Sequence, residues 1–174
     1  MKINFGCGGN VLHGWKNHDM DVDIAKPLPY DSGVADFIFA EHCVEHVAFL
    51  EAFGFFCGCH RVLKPGGVLR VTVPCLEQVA ARATAEYHEF LKINGWGDGT
   101  VAGALRGLII NHGHQSGWTV SLLICTLMAA GFRGTKVYRP GWSDCPELRG
   151  VEGHQNVIGQ AFNDIESVAV EACA

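Results

Sequence analysis

KINFGCGGN, residues 2–10, runs from a short apolar stretch into a glycine-rich loop. Glycines at such a point let the backbone turn sharply and approach a ligand closely, with N–H groups directed at an anion. The dinucleotide fingerprint G-x-G-x-x-G requires a glycine at position 11, where the chain has Val11. The stretch therefore predicts a buried strand followed by a cofactor loop or an ordinary tight turn, and it disfavours a nicotinamide or flavin cofactor.

Strand and helix patterns alternate along the rest of the chain. Further strands are predicted over 36–40, 68–73, 136–138 and 167–170, and helices over 44–63, 76–91 and 116–130. The segment 11–30 is too short for an ordinary crossover helix, so any helix there has at most one turn. We predict one α/β domain over residues 1–174, a Rossmann-like three-layer sandwich with a mostly parallel central sheet and a shortened N-terminus.

Composition limits the classes of partner and location. Hydrophobic residues make up 48% of the 174 positions, which excludes a disordered chain, and the net charge of −5 disfavours duplex nucleic acid as a partner. The longest apolar stretch, 120–130, is much shorter than the roughly 20 residues of a membrane span. Eight cysteines without a secretory signal pattern indicate reduced thiols. We therefore expect a cytoplasmic protein with no membrane partner.

Four sequence blocks follow one another in a recognisable order. They are NFGCGG at 4–9, KPLPY at 26–30 leading to DFI at 36–38, VEHV at 44–47 and RVLKPGG at 61–67. In these blocks the chain resembles the class I S-adenosylmethionine-dependent methyltransferases, specifically their small type-11-like branch. The resemblance implies an enzyme that uses S-adenosyl-L-methionine, releases S-adenosyl-L-homocysteine, and transfers the methyl group by in-line displacement.

The same resemblance implies where the cofactor is held. The glycine loop would pass beneath its methionine part, and an acidic residue after the second strand would bind both ribose hydroxyls, with Asp19 preferred and Asp21 as the alternative. Asp23 would lie near the adenine amino group. The residues expected to contact the cofactor are Phe5, Gly6, Cys7, Gly8, Asp19, Asp23 and Glu41.

A cluster of histidines and glutamates follows the strand at 36–40, at the sheet edge where open α/β folds bind ligands. His42 has a pKa suited to a general base near neutral pH, and His46 is a second candidate or a structural histidine of the following helix. Glu45 is expected to favour the positive start of that helix. The predicted catalytic residues are His42, Glu41, His46 and His114.

A metal site is an alternative use of this cluster. The spacing His42-x-x-Glu45-His46 matches an inverted zinc-peptidase pattern, and His112 or His114 would complete the site. The alternative ligand set is His42, Glu45 and His46, whereas Cys57 and Cys59 are expected to be simple thiols.

The acceptor is predicted only by class. Residues 40–43, AEHC, lack the D/N-P-P-Y segment of enzymes that methylate exocyclic base amines, so a small-molecule acceptor is expected. A cover for the cleft is expected from another part of the chain or from a second subunit of a homodimer. Two other hypotheses stay open, namely a noncatalytic cofactor- or partner-binding module and a metal-dependent hydrolase.

Overall fold

Six strands form one sheet in the computed structural model, which describes all 174 residues. The sheet order is β2-β1-β3-β4-β6-β5, with the first four strands parallel and β6 antiparallel to both of its neighbours. This arrangement confirms the predicted, mostly parallel α/β fold. The strands are β1 Lys2–Phe5, β2 Lys16–His18, β3 Ala35–Glu41, β4 Leu63–Pro74, β5 Arg133–Tyr138 and β6 Ser167–Cys173.

Seven α-helices connect the strands, together with short 3-10 turns at Val44–His46, Asn111–Gly113 and Pro146–Leu148. None of the helices combines the length and apolar character needed to cross a lipid bilayer. The helices are α1 Phe49–Val62, α2 Leu76–Arg82, α3 Ala85–Ile93, α4 Val101–Ile110, α5 Val120–Ala129, α6 Gln155–Ile158 and α7 Gln160–Glu166.

Local capping explains where the helices differ from the predicted ranges. The helix predicted over 76–91 is two helices, because the side chain of Thr84 accepts a hydrogen bond from the amide of Tyr87 and starts α3 anew. Thr100 caps α4 in the same way, because its side chain accepts a hydrogen bond from the amide of Gly103. The glycines of this stretch lower its helix propensity, so the sequence pattern does not predict α4. Residues 11–30 hold only the three-residue strand β2, as the short connection predicts.

The main core lies between the sheet and helices α1 and α5. Leu69 and Val71 of β4 belong to this core with Phe56 of α1 and Leu127 of α5. The alternate residue Arg70 points to the opposite face, where it is fully buried. There it donates to Glu152 and Glu171 at 2.6 Å each, which holds the segment 139–152 against the sheet.

A second, smaller cluster lies beyond the carboxyl ends of the parallel strands. Helices α2, α3 and α4 contribute Val79, Tyr87, Leu91, Ala104 and Leu108 to it, and α7 packs beside them. These helices form a wall above the sheet edge. The wall and the sheet edge enclose the candidate site.

Candidate functional site

Two residues of the candidate site have a strained backbone conformation. Only two residues other than glycine have positive φ, His42 at 44° and His112 at 58°, and both line the same cavity. Such conformations cost on the order of 1–3 kcal/mol and concentrate at functional sites. At His42 the strain comes from the sharp turn that ends β3 and leads into the 3-10 turn at 44–46.

Both ring nitrogens of His42 have partners. Nδ1 lies 3.3 Å from Oε1 of the buried Glu45, and Nε2 lies 2.9 Å from the hydroxyl of Ser167. Burial disfavours the charged ring, yet Glu45 and more distant carboxylates outweigh it and raise the pKa of His42. Ser167 is buried, so this Glu-His-Ser chain holds the imidazole in place and presents no accessible serine nucleophile.

A cavity of about 270 Å³ opens beside this ring. Helices α3 and α4 and the loop between them supply its apolar wall, including Leu91, Trp96 and Leu108. Five of the nine histidines of the chain line it, namely His42, His46, His112, His114 and His154. The structure thus brings the predicted His42, His46 and His114 together in one cavity.

The glycine loop borders a second cleft, of about 360 Å³. Gly6 has φ 65°, and an added Cβ there would lie 2.6 Å from Sγ of Cys43, so this position requires glycine. An added Cβ at Gly8 or Gly9 would meet no atom within 4 Å. The loop is therefore packed tightly against the sheet at its first glycine and open to a ligand at the next two.

Glu41 anchors a cover over the glycine loop. Its carboxylate accepts hydrogen bonds from the amides of Gly153 at 2.7 Å and His154 at 3.1 Å, and from the side chain of Asn10. Asn10 also donates to the carbonyl of Val151 at 2.8 Å. The cover consists of residues 151–158 of the same chain. We expected Glu41 to contact the cofactor or the acceptor, but its carboxylate already accepts three hydrogen bonds from the cover and from Asn10.

The acidic residues after β2 differ in how free their carboxylates are. Asp21 accepts from Nδ1 of His18 at 2.6 Å, and Asp23 pairs with Lys26 at 3.0 Å. The carboxylate of Asp19 is exposed and makes no hydrogen bond within the chain. The amide of Cys7 donates a hydrogen bond to the carbonyl of His18 at 2.9 Å, which places the next residue, Asp19, beside the glycine loop. Of the three acidic residues, Asp19 is therefore the one whose carboxylate is free to bind a ligand.

The side chain of Phe5 is fully buried and stacks on His18 with ring centroids 5.7 Å apart. It therefore supports the base of the loop, and only its main chain is near a ligand. Cys7 lines the cleft directly.

Two trios of ligand-type side chains lie at the cavity. Glu45, His46 and His114 have ligand atoms within 4.8 Å of one another, and so do His42, His154 and Glu166. The predicted metal trio of His42, Glu45 and His46 is thus divided between two clusters. Burial lowers the pKa of His46, although the charge of Glu45 works against that shift.

Sequence reasoning missed His154 and Glu166. The ring of His154 stacks on His42 with centroids 3.9 Å apart, and its Nε2 lies 3.4 Å from Glu166. Glu166 also accepts from the hydroxyl of Tyr87 at 2.7 Å. Tyr87 lies on α3, His154 directly precedes α6 and Glu166 ends α7. No spacing in the sequence links these residues to residues 41–46.

Comparison with known proteins places the fold. Residues 4–71 match the model of a family described as a methyltransferase domain. No curated protein sequence matches the chain. Three solved structures of S-adenosylmethionine-dependent methyltransferases share the fold, one each from Archaeoglobus fulgidus, Mesorhizobium loti and Thermotoga maritima.

Their sequence identities are low, at 15%, 13% and 14%, with TM-scores of 0.59, 0.58 and 0.57 respectively. Each alignment covers 99% of this chain and 85%, 90% and 81% of the other. The family match confirms the resemblance seen in the sequence. Residues 4–71 thus match a methyltransferase domain, and the whole chain has the fold of the S-adenosylmethionine-dependent methyltransferases.

Proposed function

We propose that the protein is an S-adenosylmethionine-dependent methyltransferase that transfers a methyl group to a small polar molecule bound in the histidine-lined cavity. The observation that carries the proposal is that the glycine-loop cleft and the cavity share His42, His154 and Val157. A donor in the first space and an acceptor in the second would meet beside the ring of His42. Holding the two reactants in line at close range is the main requirement of methyl transfer.

The residues of the first cleft fit the cofactor. Gly8 and Gly9 leave open the space that side chains would fill, and Asp19 offers two free acceptor oxygens for a pair of ribose hydroxyls. The loop backbone and Asp19 would hold it, with Cys7 and the covering residues 153–157 beside it. When bound, S-adenosylmethionine supplies an electrophilic methyl group.

His42 is the base that we propose for an acceptor carrying a proton. The negative charge of the Glu45 carboxylate, 3.3 Å from Nδ1, would favour a proton on that nitrogen. The lone pair of Nε2 then faces Ser167, and Nε2 is the atom that receives the acceptor's proton. Its raised pKa favours this uptake. Ser167 then acts as a positioning residue that holds the ring until the acceptor takes over its hydrogen bond.

The size and lining of the cavity favour a small polar acceptor. A volume of about 270 Å³ is at the lower end of small-molecule sites. Histidine nitrogens both donate and accept hydrogen bonds, which suits hydroxyl or amine groups, while Leu91 and Leu108 cover an apolar part. Cytoplasmic location and assembly as a homodimer stay predictions from the sequence.

A labelling experiment tests the acceptor class. The chain is incubated with methyl-labelled S-adenosylmethionine and, separately, a panel of small alcohols, amines and carboxylic acids, an RNA pool and a protein pool. We expect label only in small molecules, and we expect Leu108→Trp to abolish transfer by filling the cavity. Ile110→Trp, on an exposed position of the same helix, is the matched control. Label in the RNA or protein pool, or in no pool, would overturn the proposal.

A further inference from the structure

Glu45 is a buried carboxylate with unused hydrogen-bonding capacity. Its side chain is 1% exposed. Oε1 lies 3.3 Å from Nδ1 of His42, which is close enough for an ion pair, but the angles do not form a hydrogen bond. Oε2 has no hydrogen-bond partner. A buried carboxylate oxygen without a partner is costly and indicates a ligand that the chain itself does not supply.

Two imidazoles stand beside this carboxylate. Ligand atoms of His46 and His114 lie within 4.8 Å of Glu45 and of each other, and the two rings are edge to face with centroids 4.8 Å apart. Nδ1 of His114 donates to the carbonyl of Leu108 at 2.8 Å. This contact fixes the proton on Nδ1 and leaves the lone pair of Nε2 free, which is the arrangement of metal-binding histidines whose other nitrogen is hydrogen-bonded to the protein.

We propose that Glu45, His46 and His114 bind one first-row divalent transition-metal cation, of the Zn²⁺ class, at the wall of the histidine-lined cavity. Two imidazoles and one carboxylate suit such ions better than Mg²⁺ or Ca²⁺, which prefer oxygen ligands alone. Three protein ligands leave at least one position open toward the cavity. Metal binding can be measured separately from cofactor binding, because none of the three ligands belongs to the glycine loop.

The ligands must move only slightly to close on an ion. Ligand atoms of a tetrahedral zinc site lie about 3.3 Å apart, against up to 4.8 Å here. His46 and His114 lie on a 3-10 turn and just after another, and hydrogen bonds from the amide and side chain of Gln115 to the carbonyls of Glu45 and His46 hold these two segments together. The backbone therefore sets the ligands side by side, and side-chain rotation closes the remaining gap.

The neighbouring trio of His42, His154 and Glu166 is a weaker candidate. His42 is engaged by Glu45 and Ser167, and Glu166 accepts from Tyr87 and lies beside His154. Each of these groups already has a partner within the protein, whereas Oε2 of Glu45 has none. This difference allows the two clusters to be separated by mutation.

Calorimetry on the metal-stripped full chain tests the proposal, with Zn²⁺ as the titrant and Mg²⁺ as a comparator. We expect one Zn²⁺ per chain and no Mg²⁺ binding at the same concentration. Glu45→Gln, His46→Ala and His114→Ala should each weaken Zn²⁺ binding by about 100-fold or more. His13→Ala, at an exposed histidine outside the cavity, and Glu166→Gln, in the other trio, should bind as wild type.

Cobalt substitution gives a readout that does not rely on affinity or activity. Co²⁺ in the wild-type chain should show visible d–d absorption of a low-coordinate nitrogen and oxygen site, without the near-ultraviolet charge-transfer band of thiolate ligands. Circular dichroism of each variant establishes that it is folded. Absence of Zn²⁺ binding to folded wild type, loss of binding only in Glu166→Gln, or a thiolate band would each overturn the proposal.

Discussion

At the scale of single residues, His42 has the central role in the proposed function. Its left-handed backbone directs the ring across the boundary between the glycine-loop cleft and the cavity, and Glu45 and Ser167 fix the ring by both nitrogens. A residue that tolerates positive φ can keep this backbone conformation. Substitution by such a residue therefore tests the contribution of the imidazole ring itself.

His42→Asn is such a substitution. Asparagine tolerates positive φ as histidine does, but the ion pair with the buried Glu45 is lost, so we expect a lower Tm in a chain that still folds. Loss of the imidazole should lower kcat for methyl transfer by about 100-fold or more, the usual contribution of a general base. Thermal unfolding and initial rates with saturating donor measure both effects. Transfer at the wild-type rate would contradict the role given to His42.

The sequence predicts the local part of this residue cluster well. Glu41, His42, Glu45 and His46 follow one strand, so their neighbourhood is decided by a few consecutive positions. His154 reaches the same place through a segment anchored by a hydrogen bond that spans 112 residues, between Glu41 and Gly153. Short-range patterns contain no information on such a contact, which depends on how β5, α6 and α7 pack.

At the scale of elements, the segment 151–158 is the part that completes the site. It contains only one short helix, and it is held by Glu41 and Asn10 at one side and by the buried pair of Glu152 and Arg70 at the other. The side chains of Glu152 and Arg70 are both fully buried, so this ion pair is shielded from water. The hydrogen bonds of Glu41 are partly exposed, so we expect the cover to open at this side first.

Glu41→Gln should loosen this cover without unfolding the chain. A glutamine offers one acceptor oxygen where two backbone amides and Asn10 now share a carboxylate. We expect amides of residues 153–158 to exchange faster by about 5- to 30-fold, which corresponds to 1–2 kcal/mol of local opening. Hydrogen exchange followed by mass spectrometry measures this effect.

Glu89→Gln, on an exposed glutamate of α3, is the control for Glu41→Gln and should leave exchange unchanged. Equal protection of residues 153–158 in Glu41→Gln and wild type would show that Glu41 does not hold the cover.

The elements themselves were predictable where hydrophobic periodicity is strong. Strands β1 and β3 match their apolar runs because both lie buried within the sheet. Helix α4 was not predicted, since Gly103 and Gly107 lower its intrinsic propensity. An added Cβ at Gly107 would lie 2.4 Å from the carbonyl oxygen of Trp96, so packing requires glycine at this position. The formation of α4 therefore depends on tertiary packing more than on local helix propensity.

At the scale of the whole molecule, Glu166 connects the helical wall to the sheet edge. Its carboxylate accepts from Tyr87 of α3 and lies beside His154, with His42 of the sheet edge behind it. Burial opposes ionisation, but His154, His42 and Tyr87 together outweigh it and lower the pKa of Glu166. The folded chain thus binds a proton at this position less readily than the unfolded chain does.

This shift gives a pH dependence of stability with a definite sign. The contribution of a carboxylate with a lowered pKa is present above its unfolded value, about 4.3 for glutamate, and is lost as the pH falls below it. We expect Glu166→Gln to be less stable than wild type from pH 5 to 7, and the difference to shrink between about pH 4.5 and 3.5. Urea unfolding over this range measures it. A difference independent of pH would contradict the assignment.

The whole molecule joins a glycine-loop cleft to a histidine-lined cavity, and the proposed function requires that the cleft binds S-adenosylmethionine. Calorimetry with S-adenosylmethionine and S-adenosylhomocysteine measures this binding. We expect one molecule bound per chain, about 10-fold weaker binding in Asp19→Asn, and none in Gly9→Val, whose side chain would fill the open space at the loop. Asp31→Asn and Gly54→Ala should bind as wild type. Folded wild type that binds neither compound, or Gly9→Val that binds like wild type, would contradict the proposed function.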